Sequence, residues 1–247
     1  MNVSENIIQY LADYGVEHIF TVSGGGSIFL NDALGKSNRI KYICCHHEQA
    51  VAMATESYAR MKKTLGVSLV TTGPGGTNAI TGIAGAWMDS VPTLTISGQV
   101  FLEQTIKDTN LRQLGIQEIN IVDIVKPITK YAVMVERPED VIYEIQKAIT
   151  IANDGRPGPT WVDIPANIQN SSIKSSDYKF FKNNNSNNKS QKFITNNVID
   201  NVTSVIKKAK KPLIYIGRGV QIANAENYFF DLVQKTGIPF LTSWNAS

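Results

Sequence analysis

The sequence is poor in cysteine and in charge, and both shortages exclude classes of protein. Its only two cysteines are the neighbours Cys44 and Cys45. Adjacent residues on a strand point to opposite faces, so a disulfide framework is excluded and two reduced, buried thiols are expected. Lysine and arginine number 24 against 21 aspartates and glutamates, a formal charge of +3 without a basic stripe. Nucleic acid and acidic membrane surfaces are therefore not indicated as partners.

Long apolar runs and targeting signals are lacking as well. No apolar run is long enough to span a bilayer. The opening letters "MNVSENIIQYLADYG" carry acidic residues at helical spacing, whereas a signal peptide has a basic flank before an apolar block. We therefore expect a cytoplasmic protein without a membrane partner. The 247 residues are 43% hydrophobic, which is enough for one large packed domain or two smaller ones.

Short apolar runs alternate with helix-like stretches, and this order predicts the fold class. The helix-like stretches include 5–14, 48–61, 78–88 and 139–152. β-Branched runs without polar alternation, separated by helices, are typical of a parallel sheet with helices on both faces. The predicted strands are "HIFTVS", "KYICCH", "GVSLVTT", "TLTISG", "YAVMV" and "TWVDIP".

The character of the chain changes after Pro165, and we predict three regions. The α/β pattern defines a first domain over 1–170, and the polar letters "KNNNSNNKSQK" indicate a linker within 171–192. Residues 193–247 contain two helical stretches, near 196–209 and 222–236, and the strands "PLIYIG" and "IPFLTS". Two strands do not close an independent sheet, so this region reads as the beginning of a second, Rossmann-like α/β domain.

Three of the predicted strand-to-helix junctions carry unusual residues. They are "SGGGS" (23–27), the junction before Glu48, and "TTGPGGTN" (71–78). Ligands of parallel sheets bind at the carboxyl ends of the strands, so the three junctions are expected to meet at one pocket. Either glycine segment alone also fits an ordinary tight turn or a flexible connection. The spacing of "TTGPGGTN" matches neither a dinucleotide fingerprint nor a P-loop, and Asn78 is expected to begin the following helix.

Glu48 is the candidate catalytic residue, because it stands at the mouth of an apolar region. A carboxylate in the first turn of a helix is common, since the helix dipole favours it there. The flanking letters "AVAMA", however, place alanine all round the helix and predict burial on more than one side. A buried carboxylate is costly unless it is paired, so Glu48 is also a candidate for function. No His, Cys, Asp and Glu set has the spacing of metal ligands, and no catalytic Ser/His/Asp arrangement is present.

Taken together, several motifs resemble those of a known family. The segments "HHEQAVAMATESYAR", "TTGPGGTNAITGIAGAWMDSVPTLTISGQV" and "GRPGPTWVDIP" resemble the N-terminal pyrimidine-binding domain of thiamine diphosphate enzymes. The resemblance is strongest to the large subunit of acetolactate (acetohydroxyacid) synthases. "FTVSGGGSIFLNDAL" occupies the place of that family's "FGxPGGAxxxxxDAL", and "PLIYIGRGV" resembles the start of its central domain. The resemblance covers 1–168 in order and continues from 193.

The resemblance implies roles for individual residues. A Glu at the position of Glu48 binds N1′ of the aminopyrimidine ring and shares a proton with it, which an apolar site favours. Gln117 in "GIQEI" matches a Gln that faces the reaction centre, and Arg156 of "GRPGP" matches an Arg that holds FAD. An ordinary turn residue is the alternative for Arg156. The residues implied to line the pyrimidine pocket are Val22, Gly25, Thr71, Pro74 and Asn78.

The sequence also departs from the family near the implied substrate site. Ile116 replaces a Phe beside the substrate, and "SGGG" replaces "PGGA". The segment "FLEQTIKDTNLRQLGI" is longer than usual and lacks the family's "GTDAF". These changes lie in the part of the family's site that determines substrate specificity. The sequence is therefore also compatible with a relative that acts on a different 2-oxo acid or uses a different acceptor.

The resemblance implies a function for the complete enzyme. We expect decarboxylation of a 2-oxo acid and transfer of the activated aldehyde to a second carbonyl compound, as in acetolactate synthase. A 2-oxo acid decarboxylase or lyase of the same superfamily, and a non-catalytic module that keeps the fold, are the alternatives. Expected cofactors are thiamine diphosphate, Mg²⁺ held by the family's C-terminal domain, and in some members FAD. A homodimer or homotetramer is expected, and this chain alone is expected to be inactive.

Overall fold

A computed structural model describes residues 1–107, 109–182 and 194–246. The chain divides into two compact units, Met1–Asn183 and Asn184–Ser247. None of the helices in these ranges is long and apolar enough to cross a membrane.

The first unit is built on a sheet of six parallel strands. Their order in the sheet is β2-β1-β3-β4-β6-β5, and every neighbouring pair is parallel. Strands β3, β4 and β6 are buried along their whole length, as expected for strands covered on both faces. The strands are β1 (His18–Thr21), β2 (Lys41–Cys44), β3 (Gly66–Val70), β4 (Thr93–Gln99), β5 (Tyr131–Met134) and β6 (Pro159–Pro165).

Among residues 1–107 and 109–182, seven α-helices cover the two faces of the sheet. Helices α1, α2, α6 and α7 pack in one apolar cluster, and α3, α4 and α5 pack in another on the opposite face. Alternate strand residues divide between the clusters: Ile19 belongs to the first, whereas Phe20 belongs to the second. The helices are α1 (Val3–Tyr14), α2 (Ile28–Lys36), α3 (Glu48–Lys62), α4 (Pro74–Met88), α5 (Ile121–Val125), α6 (Val141–Asn153) and α7 (Ala166–Asn170).

The predicted fold class is confirmed, and each predicted strand of the first unit is present. The prediction of two buried thiols is wrong, because β2 is an edge strand whose four residues are all exposed. Cys44 is exposed and Cys45 is half-buried, and both are free. Burial of α3 on more than one side is also not found: Val51 and Ala52 are buried, whereas Ala50 and Met53 face solvent.

The first compact unit extends beyond the predicted boundary at residue 170. Tyr178 is 7% exposed and belongs to the apolar cluster of α1 and α6. The Phe181 backbone N–H donates to Gln146 Oε1 at 2.8 Å, and the Phe181 ring packs edge-on against Tyr143. Tyr178 and Phe181, which lie within the predicted linker region 171–192, therefore belong to the first unit. The rest of the predicted linker, 183–192, lies outside the described residues.

The described part of the second unit, 194–246, contains a strand pair with two helices between the strands. The two predicted strands are present as β7 (Ile214–Ile216) and β8 (Phe240–Thr242), and they pair in parallel. The predicted helix near 222–236 is present as α10 (Glu226–Thr236). A short helix, α9 (Gly219–Ile222), precedes it, and Asn224 between the two has a positive φ of 51°. Helix α8 (Asn196–Lys208) precedes β7.

Candidate functional site

The two glycine segments meet at the carboxyl ends of the neighbouring strands β1 and β3. The Gly26 backbone N–H donates to Thr71 Oγ1 at 3.0 Å. A Cβ on Gly24 would lie 2.5 Å from Thr71 Cβ, a distance that real Cβ atoms do not reach. Glycine at position 24 therefore allows the turn after β1 to lie directly on the turn after β3. The predicted meeting of these junctions is present in the structure.

Glu48 begins α3, and its side chain lies beside the turn after β3. It is 8% exposed, and its Oε2 accepts a hydrogen bond from Asn78 Nδ2 at 3.0 Å. Among the described residues Asn78 is its one side-chain partner. A Cβ on Gly75 would lie 2.7 Å from Thr71 Cγ2 and 3.5 Å from Glu48 Oε1, so glycine keeps open the space between these two residues. A buried carboxylate with one paired oxygen can accept a further hydrogen bond or a proton at the other.

Asn78 has a different place from the one predicted. Helix α4 begins at Pro74, a position that suits proline because the first N–H of a helix has no partner in the helix. Gly73, with a positive φ of 61°, precedes it. Asn78 therefore lies in the second turn and not at the start of the helix. From there its amide reaches across to α3, which a residue at the cap would not do.

A close contact between α3 and α4 sets the distance between Glu48 and Asn78. A Cβ on Gly82 would lie 2.5 Å from Ala52 Cβ and 2.8 Å from the Met53 backbone nitrogen. Both Ala52 and Gly82 are buried. Each lies four residues, about one helical turn, after its partner in the Glu48–Asn78 pair. The small residues thus bring the helices close, and the polar pair follows one turn nearer the strand ends.

This contact makes α4 sensitive to added volume at one glycine but not at another. Gly82→Ala is expected to lower the free energy of unfolding by about 1 to 2 kcal/mol, because overpacking against the α3 backbone outweighs the gain in helix propensity. Gly85→Ala on the same helix is the control, since a Cβ there would have no atom within 4 Å. It is expected to raise stability by up to about 1 kcal/mol. Urea unfolding of both variants measures the difference; equal effects would contradict the packing argument.

The predicted substrate residues lie on the segment between β4 and α5. Gln117 has a positive φ of 59°, and its backbone oxygen lies so close to Gly73 that any Cβ on Gly73 would collide with it. This contact brings Gln117 beside the turn that leads to Asn78. Its side chain is exposed, and that of Ile116 is 87% exposed. Neither side chain is therefore held in the core of this unit.

The remaining predicted residues lie in different places. Val22 is half-buried after β1, Gly25 opens the 3-10 turn Gly25–Ser27, and Pro74 is exposed at the start of α4. All three are at the carboxyl ends of the strands. Arg156 instead precedes β6 and lies at the opposite edge of the sheet, where its Nε donates to Ser90 Oγ at 2.6 Å. The structure therefore separates Arg156 from the residues around Glu48.

A separate hollow lies beside Arg156, at the amino ends of the strands. It has a volume of about 350 Å³ and is lined by Trp87, Met88, Lys130, Arg156 and Pro157. Lys130 Nζ donates to the Asp154 carbonyl at 2.6 Å, and burial lowers the pKa of Lys130. The hollow combines an indole ring with two cationic side chains.

A buried polar network beside the site was not predicted from the sequence. Asp163 is 1% exposed on β6; its Oδ1 accepts from Ser97 Oγ at 2.5 Å, and its Oδ2 accepts from Gln99 Nε2 at 3.0 Å. Burial raises the pKa of Asp163 to about 7; these hydrogen bonds lower the pKa, and nearby Glu118 raises it further. A polar residue inside an otherwise apolar strand, as in "WVDIP", is the signal that could have revealed it.

No group of three or more His, Cys, Asp or Glu side chains within 1–107, 109–182 and 194–246 is arranged to hold a metal ion.

Comparison with known families decides the assignment. A model described as "Thiamine pyrophosphate enzyme, N-terminal TPP binding domain" matches residues 1–124. One described as "Thiamine pyrophosphate enzyme, central domain" matches residues 199–247. The chain belongs to the thiamine pyrophosphate enzyme family. Thiamine pyrophosphate is the same compound as thiamine diphosphate, so the resemblance stated from the motifs is confirmed, and Glu48, Thr71 and Asn78 all lie within the matched N-terminal domain of this family.

Curated relatives of this thiamine pyrophosphate enzyme are acetolactate synthases. The large subunit from Buchnera aphidicola subsp. Schizaphis graminum is 37% identical over 243 residues, which cover 97% of this chain and 41% of the relative. Isozyme 3 large subunit from Escherichia coli (strain K12) is 33% identical over 247 residues, again covering 97% and 41%. The large subunit from Corynebacterium glutamicum is 32% identical over 251 residues, which cover 100% of this chain and 38% of the relative. The chain thus spans about two fifths of the length of these relatives.

Proposed function

We propose that this chain supplies the pyrimidine-binding half of the active site in an acetolactate synthase-like enzyme that depends on thiamine diphosphate. The observation that carries the proposal is the buried Glu48, paired with Asn78 through one oxygen and placed over the space that Gly75 keeps open beside Thr71. The residues fit the cofactor: a flat aminopyrimidine needs a close backbone approach and a carboxyl group at a ring nitrogen. When bound, thiamine diphosphate supplies the nucleophilic carbon and the electron sink of the reaction.

In this proposal the residues of the chain bind and orient the aminopyrimidine ring, and Glu48 shares a proton with it. Glu48 Oε1 holds or gives a proton at N1′ of the ring, which the apolar surroundings favour by excluding water. Asn78 fixes the other carboxylate oxygen, so Glu48 keeps one orientation. Thr71, Pro74, Val22 and Gly25 form the walls of the ring site, and Gln117 and Ile116 face the 2-oxo acid. The diphosphate and Mg²⁺ are assigned to residues outside the matched N-terminal domain, and the assembly to a homodimer or homotetramer.

We extend the proposal to FAD for the opposite edge of the sheet. The hollow there suits a dinucleotide, because Trp87 offers a flat apolar surface and Arg156 and Lys130 offer cations for phosphate groups. Arg156 Nε is engaged with Ser90, which leaves the outer guanidinium nitrogens to bind an anion. FAD bound in this hollow would not contact the ring site at Glu48, because the hollow and Glu48 lie at opposite ends of the strands.

The complete enzyme, supplied with thiamine diphosphate and Mg²⁺, tests the function. With a panel of 2-oxo acids ranked by kcat/KM, we expect CO₂ release together with a condensed 2-hydroxy-3-oxo acid. Because Ile116 replaces an aromatic residue, we expect the preference to differ from that of an ordinary acetolactate synthase and Ile116→Phe to shift it towards pyruvate. Free aldehyde as the product would favour a decarboxylase. A complete enzyme without turnover or cofactor binding would contradict the proposal in favour of a non-catalytic module.

A further inference from the structure

The Gln99 side chain makes every hydrogen bond that a carboxamide can make. Its Oε1 accepts from Thr72 Oγ1 at 2.5 Å and from the Val100 backbone N–H at 3.0 Å. Its Nε2 donates to the Ile119 carbonyl and to Asp163 Oδ2, both at 3.0 Å. The side chain is 2% exposed. A carboxamide has two donor hydrogens and two acceptor positions, so none is left over.

The orientation of this amide follows from its partners. Val100 offers an N–H, which only donates, and Ile119 offers a carbonyl, which only accepts. Oε1 must therefore face Val100, and Nε2 must face Ile119. One rigid group thereby joins three parts of the chain: the turn after β3, strand β6, and the segment that ends at Ile119.

Glu118 fixes the same segment from its other side. Its Oε1 accepts from the Ile106 backbone N–H at 3.1 Å, and its Oε2 accepts from the Leu114 backbone N–H at 3.2 Å. The residue is 7% exposed, although it lies between the exposed Gln117 and the half-buried Ile119. Backbone N–H groups of an irregular segment need such partners, because no strand or helix supplies them.

A cavity lies beside these groups. It has a volume of about 110 Å³ and lies between Gln99, Glu118 and Asp163. Side chains around a cavity lack packing partners on that side, so hydrogen bonds rather than close packing hold the segment there. The same segment carries Gln117, whose carbonyl lies against Gly73 in the turn before Asn78.

We propose that Gln99 and Glu118 are positioning residues, which hold residues 114–119 and the Ile106 backbone so that Gln117 and Ile116 stand at a fixed place over the glycine turn. The effect of this positioning on catalysis rests on the function proposed above. Its structural content, that these two side chains order the segment, is independent of that function.

Hydrogen–deuterium exchange on the 247-residue chain tests the structural content. Glu118→Gln replaces one acceptor by an NH₂ group, and Gln99→Met removes all four bonds at similar volume. Amide exchange at Ile106 and Leu114 is expected to become at least about tenfold faster in both variants, while the β4 amides keep their rates. The matched control is Thr95→Val. Thr95 lies on β4, as Gln99 does, and the substitution removes its buried hydrogen bond to Ser68 on β3 without removing any bond to the segment.

Two results would overturn the structural proposal. One is exchange at Ile106 and Leu114 that stays at the parent rate in Glu118→Gln. The other is equal acceleration at these amides in Thr95→Val, which would show a general loss of stability. If Gln99→Met does not fold, Glu118→Gln decides alone.

Kinetics of the complete enzyme test the catalytic consequence. In Glu118→Gln we expect KM for the 2-oxo acid to rise about tenfold while the Kd for thiamine diphosphate stays within about twofold, since misplacement of a positioned group costs rate or binding at that group alone. A purely structural role would lower the melting temperature and leave KM unchanged. If the parent enzyme has no turnover with thiamine diphosphate, the function proposed above fails, whereas the exchange result still decides the ordering of the segment.

Discussion

Replacement of Glu48 by Gln is expected to lower turnover of the complete enzyme about 10²- to 10⁴-fold without unfolding it. Gln has the same shape as Glu, and its amide can still hydrogen-bond to Asn78. It cannot share a proton with a ring nitrogen, which is the task we assign to Oε1, and loss of a positioned proton-transfer group costs about this much rate. Exchange of the cofactor's C2 proton, followed by NMR after dilution into D₂O, should slow in parallel with product formation.

Glu56→Gln is the matched control for this substitution. Glu56 lies two turns further along α3 and pairs with Arg60, which also binds Asp89 at 2.6 Å. Loss of its charge leaves Arg60 one acidic partner, so the helix should stay folded and the enzyme active. C2 exchange in Glu48→Gln as fast as in the parent would refute the role of Glu48. Equal loss of turnover in Glu56→Gln would show that any carboxylate lost from α3 disturbs the enzyme.

The sequence predicts the sheet well because its strands are buried on both faces. Runs such as "GVSLVTT" and "TLTISG" are short, rich in β-branched residues and separated by helix-like stretches, and β3 and β4 coincide with them to within two residues at each end. Edge strands give a weaker signal: "KYICCH" is also apolar, yet β2 lies at the edge and is exposed. Composition cannot tell a central strand from an edge strand, because the position in the sheet depends on pairing between distant segments.

The candidate site could be predicted only in part, because some of its contacts join segments that are distant in the sequence. Topology alone brings the junctions at Gly24, Glu48 and Thr71 to one edge of the sheet, so their meeting follows from strand order. The Glu48–Asn78 bond depends on how closely two helices approach, which the sequence does not state. Nothing local in "SGQV" shows that Gln99 meets Ile119 twenty residues later. Hydrogen bonds across such separations are set by the folded chain, and so the network was missed.

The stability of the chain is expected to depend on the protonation of Asp163 between pH 3.8 and about 7. Its pKa rises from 3.8 when exposed to about 7 in the folded protein, chiefly because the carboxyl is buried. The folded state then binds the proton more tightly than the unfolded chain does. The resulting stabilisation is fully present below pH 3.8 and is lost as the pH rises through about 7. A shift of this size corresponds to roughly 4 kcal/mol, since one pKa unit is about 1.4 kcal/mol.

Comparison with Asp163→Asn isolates this contribution, because Asn has nearly the same shape and does not titrate. The difference in free energy of unfolding, parent minus variant, should fall by roughly 4 kcal/mol between pH 4 and pH 8, whatever its absolute value. Urea unfolding at constant ionic strength measures the difference, and the carboxyl ¹³C resonance of Asp163 reports its pKa directly. The other ionisable groups that line the adjoining cavity, Glu118 and Lys107, are present in both proteins, and the coupling of Glu118 to Asp163 is part of the measured difference. A difference independent of pH, or a carboxyl that titrates near its ordinary value, would show that water reaches Asp163 and that the network around Gln99 is not closed.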